Sequence, residues 1–463
     1  MFQMIRHPVS IVAFLAVFAL AACGGGGGAA LTPGAPGAPG APGVPGVTPV
    51  ADTFQGAGNV TVSVPAPGVL VNDPAGSTVA DPGTRATSLG GSVTIAADGG
   101  FTYTPPAGQT GVSDTFTYTV AGFAPVTVTI TLAGRVVFVN NANPGGDGTQ
   151  ANPFGTLAAA ETASAAGDTI FVFAGAGTDV GQDNGITLKT GQKLIGEGVG
   201  LTFGVGVVVP AGTAPLISNA AIGAGLNIPV VMLSTGNEVA GFAINAAFSD
   251  GVLAPAGTGH SIHNNTLTFD AQNGREGVRL LAVTGTNSVM NNTITGSLRS
   301  GIKFANNEDV AGNVVAPAII NASVTMSGNT INGSERDGIR INLDGTGTAV
   351  SLVIDNNAIA ASTNGGIDID VLGAAGISAS VSGNDVSQSG AAFDFDASTA
   401  AGGAGTVCLE LANNSNVANN STFQVQNNGT GTFTFFEIGN DAAAALVPNP
   451  AAFTIVPQGT CGI

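Results

Sequence analysis

Between Gly259 and Asp396, polar and apolar residues alternate in short runs, and the runs recur. An Asn stands before a short apolar stretch at Asn265, Asn292, Asn329, Asn357 and Asn384, in steps of 27, 37, 28 and 27 residues. About nine residues after each of the last four comes a small residue and then an apolar one: Gly301-Ile302, Gly338-Ile339, Gly366-Ile367 and Ala392-Phe393. The first copy takes longer and reaches Gly277-Val278, and Gly251-Val252 is an earlier copy of the same step. A period near 27 residues predicts a stacked repeat, and alternation with period 2 predicts strands with one buried face. Strands that recur once per unit must lie on their counterparts in the next unit, which describes a parallel β-helix with coils about 4.8 Å apart. The recurrent Asn reads as structural, because Asn tolerates left-handed backbone and can bond to an identical Asn in the next coil.

Dense alternation also marks Ala51 to Leu132, at 59–64, 92–95, 101–104, 115–120 and 126–132, with Gly, Pro, Asn and Asp between the runs. It predicts a small β-sandwich over 51–134. Further strands are expected at 168–173, 185–188, 193–195, 201–209 and 230–233. The Ala-rich piece from Thr156 to Ala166 is expected to be a helix that closes the first coil of a superhelix running over 135–400, since a terminal coil otherwise exposes apolar side chains and strand edges. After Gly405 the pattern shifts to longer, Phe-containing stretches, read as a C-terminal cap over 401–463. Cys408 and Cys461 bracket it, and in an oxidising compartment they read as a disulfide.

Met1 to Ala22 carries Arg6 and then an apolar run too short to span a bilayer permanently, as in a signal peptide. It ends in Leu20-Ala21-Ala22-Cys23, which resembles the lipobox of bacterial lipoproteins. The resemblance implies that Cys23 is acylated and becomes the N-terminus, and Gly24 in place of Asp implies an outer-membrane address. Residues 23–50 then form a Gly-rich tether and a Pro-Gly-x spacer. The stretches GVLVND (68–73) and GGFTYTPPAGQTGVSDTFTYTV (99–120) resemble one bacterial cadherin-like, immunoglobulin-like repeat, a spacer or adhesive module. Some members bind calcium, and Asp52, Asn72, Asp73 and Asp114 are the candidate ligands here. The segment from Val137 to Gly175 resembles the entry of pectate-lyase-like right-handed β-helix proteins. That group spans lyases, hydrolases, epimerases, tailspikes and non-enzymatic adhesins. The sequence lacks the polygalacturonase pattern, since 257–260 reads GTGH and Gly301-Ile302-Lys303 has no preceding Arg, so the resemblance implies a fold and no particular activity.

Charge narrows the partners. The chain has 11 Lys and Arg against 29 Asp and Glu, net −18, so as a whole it repels nucleic acid and anionic lipid, and its membrane contact is the lipid anchor. Nothing in the pattern calls for an oligomer, and a monomer is expected. Six of the 11 basic residues fall between Arg275 and Arg340. Aligning the Gly-apolar steps puts Arg279, Lys303, Arg340, Asp368 and Asp394 at one point of successive coils, and Leu281, Ala305, Asn342, Asp370 and Asp396 two residues on. Arg275, Arg299 and Arg336 lie two residues before the Gly. Alternation points these positions outward.

The expected picture is a basic ladder continued by an acidic one. Arg275, Arg279, Arg299, Lys303, Arg336 and Arg340 are the candidate contacts for an acidic polysaccharide or host surface ligand. Asp368, Asp370, Asp394 and Asp396 are the candidate general acids and bases on a glycosidic bond, or calcium ligands, calcium being the one cofactor considered. Glu276, Asp337 and Asp344 are available to neutralise the cations, and 306–317 is a loop at the rim. His260 and His263 precede the first Asn step, and alternation from Ile262 turns His263 outward, where it reads as an ordinary surface histidine. Three functions follow: a surface lipoprotein that binds glycan without catalysis, a polysaccharide lyase or hydrolase, and a structural stalk in which every ladder charge is paired.

Overall fold

The computed structural model describes residues 48–143, 145–203, 206–223, 226–269, 275–387, 393–399, 403–415, 422–440, 445–447 and 453–462. The leader, Cys23 and most of the Pro-Gly spacer lie outside them.

The alternating runs of the first module fold as a sandwich. Val62–Val64, Phe101–Thr104, Ser92–Ile95 and Gly83–Ala86 form one antiparallel sheet. Facing it, Val126–Val139 pairs antiparallel with Val112–Tyr118 and parallel with Asp52–Gly58. The inward members of each run, among them Val93, Ile95, Phe101, Phe116, Val128 and Ile130, make the core. The strand Val126–Val139 does not stop at the sandwich. Its last residues, Val136 to Val139, pair with Thr169–Val172 as the first rung of the superhelix. The two modules therefore share a strand, and an apolar cluster of Ala57, Val60, Phe138, Phe171 and Ile195 packs across the junction.

From there the chain winds as a right-handed parallel β-helix with three sheets, the fold the repeat predicts. Each full coil places one strand in each sheet, for instance Val283–Met290, Thr293–Thr295 and Ile302–Ala305. All three pair in register with Asn321–Ser327, Thr330–Asn332 and Asp337–Leu343 of the next coil. Alternation turns one apolar side chain inward at each register position, so Ile294, Ile331 and Ile359 stack in one sheet and Ile302, Ile339 and Ile367 in another, all buried. Each such side chain contributes about 1.5–3 kcal/mol by burial.

Two features of the repeat have direct causes. The Asn series forms a buried ladder: the amide of Asn292 donates to Asn329 Oδ1 (3.1 Å), Asn329 to Asn357 (2.9 Å) and Asn357 to Asn384 (2.9 Å). Asn414 and Asn440 extend it by two rungs. The left-handed residue is not the ladder Asn but the one before it: Asn264, Asn291, Asn356 and Asn413 have φ of 55°, 53°, 54° and 55°, and Gly328 and Gly383 replace Asn there. Glycine at 277, 301 and 338 is a packing requirement. A Cβ on Gly301 would stand 2.4 Å from Ile331 Cγ2 and 2.8 Å from Gly338 O of the next coil.

The expected cap helix is present as Leu157–Ala163, its first turn closed by Thr156, whose hydroxyl accepts from Ala159 N. Leu157 and Ala160 join the core. Two expectations are corrected. Residues 201–209 do not add a strand to the stack; Leu201–Phe203 and Gly206–Val209 pair antiparallel as a side hairpin over the junction cluster. Nor does the superhelix end near residue 400. Thr406–Ala412, Phe433–Ile438 and Thr454–Ile455 continue the first sheet in parallel, because their alternation is unbroken. The Cys408–Cys461 disulfide, Cα atoms 5.5 Å apart, ties the last of these coils down.

Candidate functional site

The outward side of the third sheet carries the charges, and its register is the one expected up to Asp368. Arg279, Lys303, Arg340 and Asp368 are successive partners, and beside them Leu281, Ala305, Asn342 and Asp370. One coil later the register differs by two residues: Asp396, not Asp394, pairs with Asp368, and Ser398 with Asp370. The segment between Ser387 and Phe393 lies outside the described residues, as does the side chain of Asp394, and counting along the sequence could not supply its offset. Gln424 and Gln426 follow Asp396 and Ser398.

The basic half is not the open ladder that alternation implies. Arg279 is fully buried, and Arg275 and Lys303 nearly so, while Arg299 is about one-third exposed and Arg336 stands in solvent. The reason is the rim loop, which folds over them as a small hairpin. Glu308 and Val314 bridge across it, and Asp309 takes hydrogen bonds from Asn313 N and Nδ2. Its underside meets the cations. Arg279 Nη2 donates to Asp309 O (2.5 Å) and Nη1 to Val310 O (3.2 Å), and Lys303 Nζ lies 2.5 Å from Glu308 Oε1. Asp250, buried completely, pairs with Arg279 at 3.2 Å, and Glu276 stands 3.7 Å from Arg275 and 3.6 Å from Arg299. Burial and then the charge of Glu276 push the Asp250 carboxyl up to about 7. Burial opposes the Glu276 charge, but the hydrogen bond from Asp250 and the nearby cations hold its carboxyl below the usual range. Asp250 went unread in the sequence, although it precedes Gly251 at the register point of Glu276 and Asp337. Asp344 serves elsewhere: its N–H and C=O bond the side chain of Asn306.

Arg340 is where cations give way to acids. It pairs with Asp368 and Asp370 and lies 3.8 Å from Asp337. These carboxylates outnumber it. Burial, and then the competing charges of Asp370 and Asp337 against the attraction of Arg340, push Asp368 up to about 8. Burial and Asp370 push Asp396 to about 6. Two acceptors here, Asp396 Oδ1 and Gln424 Oε1, are buried and have no hydrogen-bond donor among the described residues. They belong to register neighbours.

The other candidates separate. Asp114 is buried and accepts from Thr87, Ser88, Leu89 and Tyr103, so it organises the sandwich and is not grouped with Asp52 and Asp73. Asp73 instead takes the hydroxyl of Tyr118, and burial pushes Asp52 beside them up to about 7. Among the described residues, no group of three or more His, Cys, Asp or Glu is arranged to hold a metal ion. His260 is buried, with Nε2 3.1 Å from Ala256 O, and His263 pairs with Glu238 at 3.1 Å. An open groove of about 530 Å³ on the first sheet is lined by small uncharged residues such as Ser323, Ser351 and Ser378.

Comparison with known proteins gives the following. No curated protein matches the chain in sequence. Among solved structures it is similar to a rhamnogalacturonan lyase at 13% identity, covering 70% of this chain and 87% of the other, with a TM-score of 0.26. It is similar to a Yersinia enterocolitica family 28 exopolygalacturonase at 13% identity, covering 77% and 84%, with a TM-score of 0.29. An Azotobacter vinelandii mannuronan C-5 epimerase A-module shares 13% identity over 65% of this chain and 93% of the other, with a TM-score of 0.24. A bacterial Ig domain model matches residues 44–133. A second model, described as a protein of unknown function (DUF1565), matches residues 139–417, more than half of the chain. With an Ig module leading into a parallel β-helix, the chain belongs to the DUF1565 family.

Proposed function

We propose that this protein is a lipid-anchored envelope protein that binds a polysaccharide along the acidic half of its third sheet, without turning it over. Cys23 is the anchor, the Pro-Gly stretch and the Ig module are the stalk, and the β-helix is the binding rod. The observation that carries the reading is the pair of buried acceptors, Asp396 Oδ1 and Gln424 Oε1, on neighbouring coils, neither with a hydrogen-bond donor among the described residues. Leaving such groups without donors costs about 1–3 kcal/mol each, and sugar hydroxyls are donors of the right kind. The surrounding Asn342, Asp370, Ser398 and Gln426 repeat hydrogen-bonding groups at the coil spacing. With four carboxyls around one Arg, the acidic half disfavours a carboxylate at that point, so the sugar units it contacts are neutral; of the basic residues, Arg275, Arg279 and Lys303 are covered and Arg340 is paired, while Arg336 stands in solvent.

A second reading, hydrolysis, is favoured by one observation. Asp368, pushed up to about 8, keeps its proton at neutral pH beside other carboxyls, as a general acid requires. Glycan-array binding by the purified protein, beside an Asp396→Ala/Gln424→Ala variant, tests the first. Binding of neutral glycans that the variant loses supports it; a wild-type protein that binds nothing leaves a structural stalk. Product formation from a bound glycan, abolished by Asp368→Asn, would replace binding with catalysis.

A further inference from the structure

The basic half of the strip is closed by a carboxylate of the chain itself. Glu308 reaches down from the hairpin to Lys303 at 2.5 Å and Arg279 at 3.8 Å. The cations beneath remain incompletely matched. Arg275 and Arg299 share Glu276 at contacts of 3.7 and 3.6 Å, and Arg275 Nε, Arg275 Nη2 and Arg279 Nε have no acceptor among the described residues. Arg279 is wholly buried, so these donors point into the protein and not into water.

The cover is built to stay attached at its base and to let go at its tip. Asn306 pins the base, its amide donating to Ala318 O (2.7 Å), Asp344 O (2.7 Å) and Thr348 Oγ1 (3.1 Å). The tip rests on the cations through Glu308 and two main-chain carbonyls alone. Gly312 turns the tip at φ 82° directly over the guanidinium groups, where a Cβ would stand 2.2 Å from Arg275 Nη2 and 3.2 Å from Arg299 Nη1. The upper side of the hairpin meets solvent with Val310 and Val314, so no packed layer holds it down from above.

We propose that Lys303 and Arg279, with Arg275 adding positive charge beside them, form a carboxylate-binding site that Glu308 occupies in the closed form, and that a uronic-acid polysaccharide displaces Glu308 as the tip lifts. The Lys303 ammonium holds one oxygen of Glu308, and the other, Oε2, lies 3.8 Å from Arg279 with no hydrogen-bond donor among the described residues, so the tethered carboxylate marks where a better-matched one would sit. Removing Glu308 leaves four cations, with Arg299, against Asp250 and Glu276: a local excess of positive charge in an acidic protein. The site is separate from the Asp396–Gln424 pair and does not rest on it.

The test is titration of the full chain with polygalacturonate, with neutral dextran as control. Glu308→Gln should bind polygalacturonate about tenfold more tightly than wild type, the scale of a freed, partly desolvated charge contact. Glu308→Gln/Lys303→Gln should lose the gain, and dextran should not distinguish the three. Gly312→Ala keeps every charge but strains the tip, whose φ of 82° at this position suits glycine, and should raise affinity in the same direction. In the wild type, polygalacturonate should quicken amide exchange across 307–315 and dextran should not. If Glu308→Gln and Gly312→Ala fold yet bind no better than wild type, or exchange in the wild type is unchanged at saturating polygalacturonate, the hairpin is a structural clasp and the proposal falls. Neutral-glycan binding in the array can fail while these results hold, and the reverse.

Discussion

Replacing Asn329 with Ala should cost far more than removing a single hydrogen bond. Asn329 Oδ1 accepts from Asn292 N (3.0 Å) and Asn292 Nδ2 (3.1 Å), and its own amide donates to Val289 O and Asn357 Oδ1, both at 2.9 Å. Alanine removes all four. Asn357 Oδ1 keeps a donor in Asn329 N (3.0 Å), but the Asn292 N–H, one Asn292 amide hydrogen and a contact of the Val289 carbonyl are lost in a site with no solvent. Two or three orphaned groups at about 1–3 kcal/mol each give a loss of roughly 3–6 kcal/mol. Coils contact only their neighbours, so the loss should appear first as local opening around residues 289–357. Hydrogen exchange at those amides and urea unfolding followed by circular dichroism would measure it. Asn440→Ala, at the half-buried end of the ladder, is the comparison and should lose about 1 kcal/mol or less. Equal losses at 329 and 440, or a loss below about 1 kcal/mol at 329, would refute the claim that ladder satisfaction holds the coils together.

Gly338→Ala places a Cβ 2.3 Å from Ile359 Cγ2 and 2.7 Å from Gly366 O, and overpacking should lower stability by roughly 1–3 kcal/mol; an unchanged melt would show that the coils can spread. Stability should rise as pH falls from about 8 towards about 4. Asp52, Asp250 and Asp396 are pushed up to about 7, 7 and 6, so in that window the unfolded chain has lost protons that the folded chain still binds. Below about 4 the trend should reverse, since Glu238, held to about 2 by His263 and Lys193, loses its contribution as it is protonated. Thermal melts across pH 3–9 decide it, and a maximum near pH 8 would contradict it. Cys461→Ser opens a link between residues 53 apart in sequence, worth about 4 kcal/mol by the chain-entropy account. Exchange should quicken from Thr406 onward and stay unchanged before Gly376; uniform quickening would mean the disulfide supports the whole rod.

The architecture was legible because its causes are periodic. Asn292, Asn329 and Asn357 recur because each satisfies the next, and Gly277, Gly301 and Gly338 recur because the neighbouring coil leaves no room for a Cβ. The offset of Asp396 was not legible, because Ala392-Phe393 imitates the Gly-apolar step two residues before the position that pairs with Gly366-Ile367. Burial of Arg279 was not legible either, because alternation reports which way a side chain leaves its own strand and not what folds over it. The hairpin that covers Arg279 is one insertion in one coil, and no repeat exists from which to infer its direction. Its charges were the available hint: Glu308 and Asp309 lie in the long step, beside the coils that carry Arg279 and Lys303.

The third sheet divides at Arg340 for an electrostatic reason. Like charges stacked at the coil spacing of about 4.8 Å repel by a few kcal/mol at the effective dielectric of a protein surface, so an uninterrupted ladder needs counter-charges from outside the stack. On the cationic side the chain provides them at the position before the repeat Gly, as Asp250 and Glu276, and by insertion, as Glu308 from the hairpin. On the acidic side no insertion follows among the described residues, and Arg340 is shared among Asp337, Asp368 and Asp370. What remains is settled by the proton that Asp368 keeps at neutral pH and by acceptors that have no donor among the described residues. One end of the face thus carries its own tethered ligand, and the other has hydrogen-bonding capacity to spare. A glycan that contacts both ends must offer hydroxyl donors at Asp396 and Gln424 and a carboxylate at Lys303. A polymer alternating neutral and uronic residues meets both demands and keeps its carboxylates away from the Asp cluster, whereas a purely neutral chain has no carboxylate for Lys303.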